Sequence, residues 1–113
     1  MKKPVIQWVG GKQCYQLMED FRFITSVGIW TVPAGFLFDG ASVPRIPFVY
    51  ARYGNTAQEG ALLHDYLYRT KKSSRKTADR AFLEVMEQFN NPSSPSKRKA
   101  MYLAVRSFGW AAY

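Results

Sequence analysis

The chain has 113 residues, which is enough for one hydrophobic core and too few for two, so its length predicts a single domain over residues 1–113. Hydrophobic residues make up 47% of the sequence and aromatic residues 16%, a composition that argues against disorder. The formal charge of +8 favours acidic partners such as anionic lipid or nucleic acid.

We find no sequence pattern typical of export or of membrane insertion. Cys14 is the single cysteine, so an internal disulfide is excluded. Residues 1–8 begin with basic side chains but lack a sustained apolar segment and a small-residue cleavage site, and no run approaches the ~18 apolar residues of a membrane span. We therefore expect no signal peptide, no transmembrane segment and synthesis in a cytoplasm.

The first third of the chain predicts antiparallel strands. Residues 13–17, 21–25 and 29–32 mix aromatic and β-branched side chains in an alternating pattern, and residues 26–28 offer a turn between the last two. Residues 5–9 predict an additional edge strand that ends at two glycines. Together these segments predict a small antiparallel β-meander.

A long segment rich in proline and glycine follows at residues 32–47. Its three prolines and two glycines disfavour both a helix and a central strand, while its apolar residues argue against disorder. We expect a long ordered loop. Asp39 is the acidic residue of this loop, and it belongs either to an ordinary turn with Gly40 or to a functional site.

From Thr56 the hydrophobic period becomes helical. At ~100° per residue, His64 and Tyr68 share a narrow arc with three small residues: Ala57, Gly60 and Ala61. Small residues on the histidine's face allow a second element to approach closely. Asp65 lies roughly 100° around from His64, so both side chains can serve one site without bonding each other.

A second helix is predicted after the polar residues 69–74, with Ser73 or Ser74 as its N-cap. Its apolar stripe consists of Ala78, Phe82, Val85, Met86 and Phe89. Asp79 falls within roughly 20° of Met86, on the rim of that stripe. Because an unpaired buried carboxylate is expensive, Asp79 needs a partner, and His64 or Tyr68 is the obvious one.

The third predicted helix begins with Ser94 as N-cap and Pro95 as first helical residue. Its apolar side carries Met101, Val105 and Phe108, and its basic side carries Lys97, Arg98, Lys99 and Arg106. Gly109 predicts the end of the helix. The aromatic tail, residues 110–113, is expected to pack back on the domain or to bind a partner.

These residues form one candidate site, made of His64, Asp65, Tyr68 and Asp79, with Asp39 as a fifth member. A histidine held by a carboxylate can act as a general base on water, because the carboxylate fixes the tautomer and stabilises the imidazolium. An adjacent acid could hold a hard cation, with loop carbonyls completing the oxygen shell. Such a cation would stabilise a developing oxyanion.

Residues 57–89 resemble the two-helix core of the small secreted calcium phospholipases, which carry His-Asp-x-Cys-Tyr on one helix and an aspartate on the next. The resemblance implies that His64 is the water-activating base, that Asp65 binds calcium, and that Tyr68 and Asp79 orient His64. The cysteines of the phospholipase motif are replaced here, and their calcium loop is missing. Only residues 35–42, which include Asp39, could substitute for it.

A second resemblance covers nearly all of residues 20–110. The order VPAGF at 32–36, DGASVPR at 39–45, LHDYLY at 63–68, Ala78-Asp79 and MYLAVRSFG at 101–109 is similar to a family of phage and prophage proteins of unknown function. It implies a phage or prophage setting, in the host cytoplasm or the virion, and no particular activity.

Several functional hypotheses follow from these residues and resemblances. The first is a metal-assisted hydrolase of an ester, with phospholipid as the candidate substrate and calcium as the candidate metal. The second is a non-catalytic phage component or an inhibitor of a host system that acts by protein binding. A nucleic-acid module ranks third, because a phosphate loop, a zinc pattern and a recognition helix are missing. A purely structural role for His64, held by Asp79 and Tyr68, remains open beside all of them.

Overall fold

The computed structural model describes residues 2–12, 14–38 and 58–108. Within these ranges the chain forms five strands, a short 3-10 turn at Gly10–Lys12 and three helices. The strands are β1 (Ile6–Val9), β2 (Cys14–Leu17), β3 (Phe21–Thr25), β4 (Gly28–Val32) and β5 (Leu37–Phe38). The helices are α1 (Gln58–Thr70), α2 (Arg75–Phe89) and α3 (Pro95–Phe108). The protein is therefore α+β, as predicted.

The strands divide into two small antiparallel sheets rather than one continuous meander. One sheet has the order β1-β2-β5, and the other is the β3-β4 hairpin. The hairpin register pairs Thr25 with Gly28, so the predicted turn narrows to Ser26 and Val27. Because β2 bonds β1 on one edge and β5 on the other, it has no free edge to pair with β3.

Strand β5 lies inside the segment that was predicted as loop. Its prolines flank Leu37 and Phe38 without occupying them, so both residues pair with Gln16 and Tyr15 of β2. The Leu17 amide also donates to Phe36 O at 2.9 Å. The rest of the predicted loop, residues 39–47, lies outside the described residues, as do Gly109 and the aromatic tail at 110–113.

Local side-chain chemistry explains the ends of the helices. At the start of α2, the Ser74 hydroxyl accepts from the Thr77 amide, which identifies Ser74 as the N-cap. At its end, Asn90 adopts the left-handed conformation with φ of 51°, a usual helix stop. Ser94 Oγ accepts from the Lys97 amide at the start of α3, as predicted from the Ser94-Pro95 pair.

Helix α2 lies at the centre of the packing. It contacts α1 on one side and α3 on the other, and the α1–α2 contact is the largest between any two described elements. Gly60 of α1 makes this close approach feasible, because a Cβ there would lie 3.0 Å from Phe82 and Met86. No helix among the described residues is long and apolar enough to cross a membrane.

Candidate functional site

His64 lies in the middle of α1 and is completely buried. Its ring packs between two aromatic side chains, with centroid distances of 4.1 Å to Tyr68 and 4.8 Å to Phe82. Tyr68 follows His64 by one helical turn, so the two rings share one face of α1. The small residues Gly60 and Ala61 allow α2 to approach this face, as the helical arc predicts.

Asp79 of α2 is the centre of a polar cluster at this interface. It is also completely buried. Its Oδ1 atom lies 2.7 Å from His64 Nε2 and accepts a hydrogen bond from the Tyr68 hydroxyl at 2.5 Å. The structure therefore brings together His64, Asp79 and Tyr68, the three side chains that the sequence proposes for the catalytic role.

The other carboxylate oxygen of Asp79 faces two arginines. Arg106 Nη1 of α3 donates to Oδ2 at 2.8 Å, and Arg75 Nη1 of α2 lies 3.6 Å from the same atom. Arg75 also donates to the carbonyls of Val105 and Arg106 near the end of α3. One face of the carboxylate thus contacts the histidine helix, while the other contacts two cations.

These contacts determine the ionisation of both Asp79 and Tyr68. Burial opposes the charge on Asp79, but hydrogen bonds from His64, Tyr68 and Arg106 outweigh it, so the pKa of Asp79 is lowered below its ordinary value. Burial raises the pKa of Tyr68 well above its ordinary value, and its hydrogen bond to the Asp79 carboxylate raises it further. Near neutral pH the cluster therefore contains a carboxylate and a neutral phenol.

The ionised state of Asp79 fixes the histidine tautomer. A carboxylate can only accept hydrogen bonds, so His64 Nε2 must carry the hydrogen that it shares with Oδ1. In the neutral ring the basic lone pair is then at Nδ1. This arrangement is that of an oriented general base, and it is equally that of a satisfied structural histidine.

Of the two residues proposed as metal ligands, Asp65 alone lies within the described residues, and its ion pair with Arg69 is not with this cluster. Asp65 is mostly buried and forms an ion pair at 2.8 Å with Arg69, one turn along α1. Asp39 lies outside the described residues. Among the described residues no three His, Cys, Asp or Glu side chains form a group that could hold a metal ion.

The two arginines are functional candidates that sequence reasoning missed. Arg106 was assigned to the basic side of the third helix, yet its guanidinium reaches Asp79 and its side chain is only 30% exposed. Its sequence separation from Asp79 gives no local signal. Arg75 did carry one, since it stands four residues before Asp79 on the same helix and can face it.

The fold and this cluster define a small α+β protein with a buried His-Asp-Tyr-Arg network. Residues 15–105 match the model of the family described as "Protein of unknown function (DUF1353)", and the chain belongs to that family. It is also 32% identical over 98 residues to the uncharacterized protein y4jT of Sinorhizobium fredii. That match covers 84% of this chain but only 29% of the relative's length. No solved structure is significantly similar to the chain.

Proposed function

We propose that this chain is a hydrolase of ester substrates in which His64 is the general base. The observation that supports this most is the pair of hydrogen bonds at Asp79 Oδ1, which accepts from both His64 Nε2 and the Tyr68 hydroxyl. The ionised carboxylate holds the ring in one tautomer, so that Nδ1 can remove a proton from water as the water attacks an ester carbonyl. The proton then passes to the leaving alcohol.

The proposed substrate is a phospholipid, and the proposed metal is calcium. The formal charge of +8 would attract the chain to anionic bilayers. Asp65 and Asp39 are the proposed calcium ligands, where carboxylate oxygens suit a hard cation that stabilises the oxyanion. The sequence resemblance to phage and prophage proteins supports a setting in the host cytoplasm or the virion.

The alternative proposal is a non-catalytic phage component, or an inhibitor of a host system, that acts by binding a protein. Two observations favour it. His64 and Asp79 are both fully buried, and Arg106 and Arg75 already balance the Asp79 charge. Cations beside the carboxylate oppose a further positive charge on the ring, which weakens the help that Asp79 gives to an imidazolium. In this case the cluster holds the helices together.

The deciding experiment measures fatty-acid release from mixed anionic phosphatidylglycerol vesicles, with calcium and with a chelator. The informative variant is His64→Gln, because the glutamine amide can still donate to Asp79 while it supplies no base. Arg80→Gln is the matched control, since Arg80 is an exposed residue of α2.

Calcium-dependent release by the wild type and Arg80→Gln, lost in a folded His64→Gln variant, supports the hydrolase. Absence of release by a folded wild type at every calcium concentration rejects it and leaves the binding role. Release that persists in His64→Gln rejects His64 as the base.

A further inference from the structure

A pocket of about 430 Å³ lies where the first residues of the chain meet β3 and the end of α2. This volume is within the usual range of small-molecule sites. None of the residues that line it belongs to the His64 cluster. Phe89, on its wall, follows Asp79 by ten residues on the same helix, which is about 15 Å along the axis.

Three aromatic side chains and Ile24 form the apolar part of the pocket. Phe21 and Phe23 pack edge to face with centroids 4.8 Å apart, and Phe89 lies 6.3 Å and 6.5 Å from them. Phe23 is fully buried, while Phe21 and Phe89 are partly exposed. Rings that pair in this way favour a further ring in stacked or edge-to-face contact.

The pocket carries a net positive charge. Lys2 and Arg22 line it together with one acid, Asp20, so its formal charge is +1 from two cations and one anion. Asp20 Oδ1 already accepts a hydrogen bond from the Ala34 amide at 2.7 Å. Neither cation forms an ion pair with another side chain of residues 2–12, 14–38 and 58–108. Within these ranges, both cations are therefore available to an anion.

Two of the residues that line the pocket, Gln88 of α2 and Ile24 of β3, are joined by a hydrogen bond. Gln88 Nε2 of α2 donates to Ile24 O of β3 at 2.8 Å, which keeps the aromatic walls at a set separation. One turn before it, Glu84 accepts from the Ser26 amide and hydroxyl at the hairpin turn. The pocket is thus built between elements that are tied together at two points.

We propose that this pocket binds a flat, ring-containing molecule with a single anionic group. The phenyl rings take up the ring of the ligand, and Lys2 and Arg22 hold the anion. This inference is independent of the hydrolase proposal, because binding here requires neither His64 nor a metal.

The test uses calorimetric titration of the purified chain with 2-naphthoate and with 2-naphthalenemethanol, its neutral counterpart. We expect the carboxylate to bind about tenfold more tightly than the alcohol, because each of two partly shielded ion pairs contributes about threefold to fivefold. Arg22→Gln and Lys2→Gln should each weaken naphthoate binding about threefold to fivefold and leave the alcohol unchanged. Arg80→Gln, an exposed change outside the pocket, is the matched control.

Amide chemical shifts locate the bound naphthoate and are expected to change at residues 20–24 and 88–89. The proposal is overturned if neither compound binds a folded wild type at millimolar concentration, or if both bind equally. It is likewise overturned if the Arg22 and Lys2 variants bind naphthoate as the control does, or if the shifts change elsewhere.

Discussion

Arg106 Nη1 lies 2.8 Å from Asp79 Oδ2 and ties α3 to the carboxylate that orients His64 on α1. Asp79 is completely buried, whereas the Arg106 side chain is 30% exposed. The carboxylate thus obtains a compensating charge from a cation that keeps part of its hydration, which lowers the desolvation penalty of the pair. All three helices therefore depend on one side chain for part of their mutual packing.

Asp79→Asn should destabilise the fold whatever the function of the cluster. The amide has the same shape but leaves Arg106 and His64 facing a group without charge, and loss of one member of a buried pair typically costs about 3 kcal/mol. Urea unfolding followed by circular dichroism measures the change. Glu87→Gln, on the exposed side of α2, is the control and should be nearly neutral. A loss below about 0.5 kcal/mol would contradict the central role given to Asp79.

The same reasoning changes how activity assays of Asp79 variants must be interpreted. An Asp79→Asn variant would report on catalysis alone only if it spared the fold. Because four side chains converge on this carboxylate, lost activity in that variant would not separate catalysis from folding. His64→Gln is the sharper change, since it retains the donor to Asp79.

A double-mutant cycle on Asp79 and Arg106 should reveal direct coupling. We expect a coupling free energy of about 1–2 kcal/mol, below that of a fully buried pair because water partly screens Arg106. The cycle compares Asp79→Asn, Arg106→Gln and the double variant by urea unfolding. The control cycle uses Arg80 and Glu84, whose charged atoms lie 3.8 Å apart with Arg80 half exposed, and should give under about 0.5 kcal/mol. Equal coupling free energies in both cycles would show that the Asp79–Arg106 contact stabilises the fold no more than a surface ion pair does.

The lowered pKa of Asp79 predicts a loss of stability in acid. As the pH falls, the unfolded chain binds a proton at Asp79 near the ordinary pKa of 3.8. The folded chain binds that proton only at a lower pH, because the pKa of Asp79 is lowered in the fold. The stabilisation is therefore complete above the ordinary pKa and is lost as the pH falls towards the lower folded pKa. Unfolding free energies of the wild type and Asp79→Asn, measured between about pH 2.5 and 7, should converge at the acid end. A difference that stays constant with pH would exclude ionised Asp79 as the cause.

The periodicity of the two helices was sufficient to predict the His64–Asp79–Tyr68 cluster. Asp79 on the rim of an apolar stripe required a partner, and His64 and Tyr68 occupy one face of the neighbouring helix. Arg106 could not be found in this way, because its contact depends on how α3 crosses α2. Strand pairing was equally inaccessible, since the sequence does not reveal that β2 bonds β1 and β5 rather than β3.

Gly60→Val should disturb both the helix interface and the site. The added side chain would meet Phe82 and Met86, whose atoms already lie 3.0 Å from the position of a Cβ. Met86 is flexible, but Phe82 is fully buried and packs against His64 at 4.8 Å, so it has little room to move. We expect about 2 kcal/mol of destabilisation from overpacking. A shift of the His64 ring signals in the NMR spectrum should accompany it, because Phe82 would be displaced.

Lys99→Val, at an exposed position of α3, measures the intrinsic effect of a β-branched residue in a helix and should cost under about 1 kcal/mol. If Gly60→Val proves no more destabilising than Lys99→Val and leaves the His64 signals in place, the close approach of α1 and α2 at Gly60 would be refuted. If it is more destabilising and the His64 signals move, Gly60 is a residue that sets the distance between His64 and Asp79. The face of small residues predicted from the sequence would then have a defined role, which is to let His64 pack against the Asp79 carboxylate.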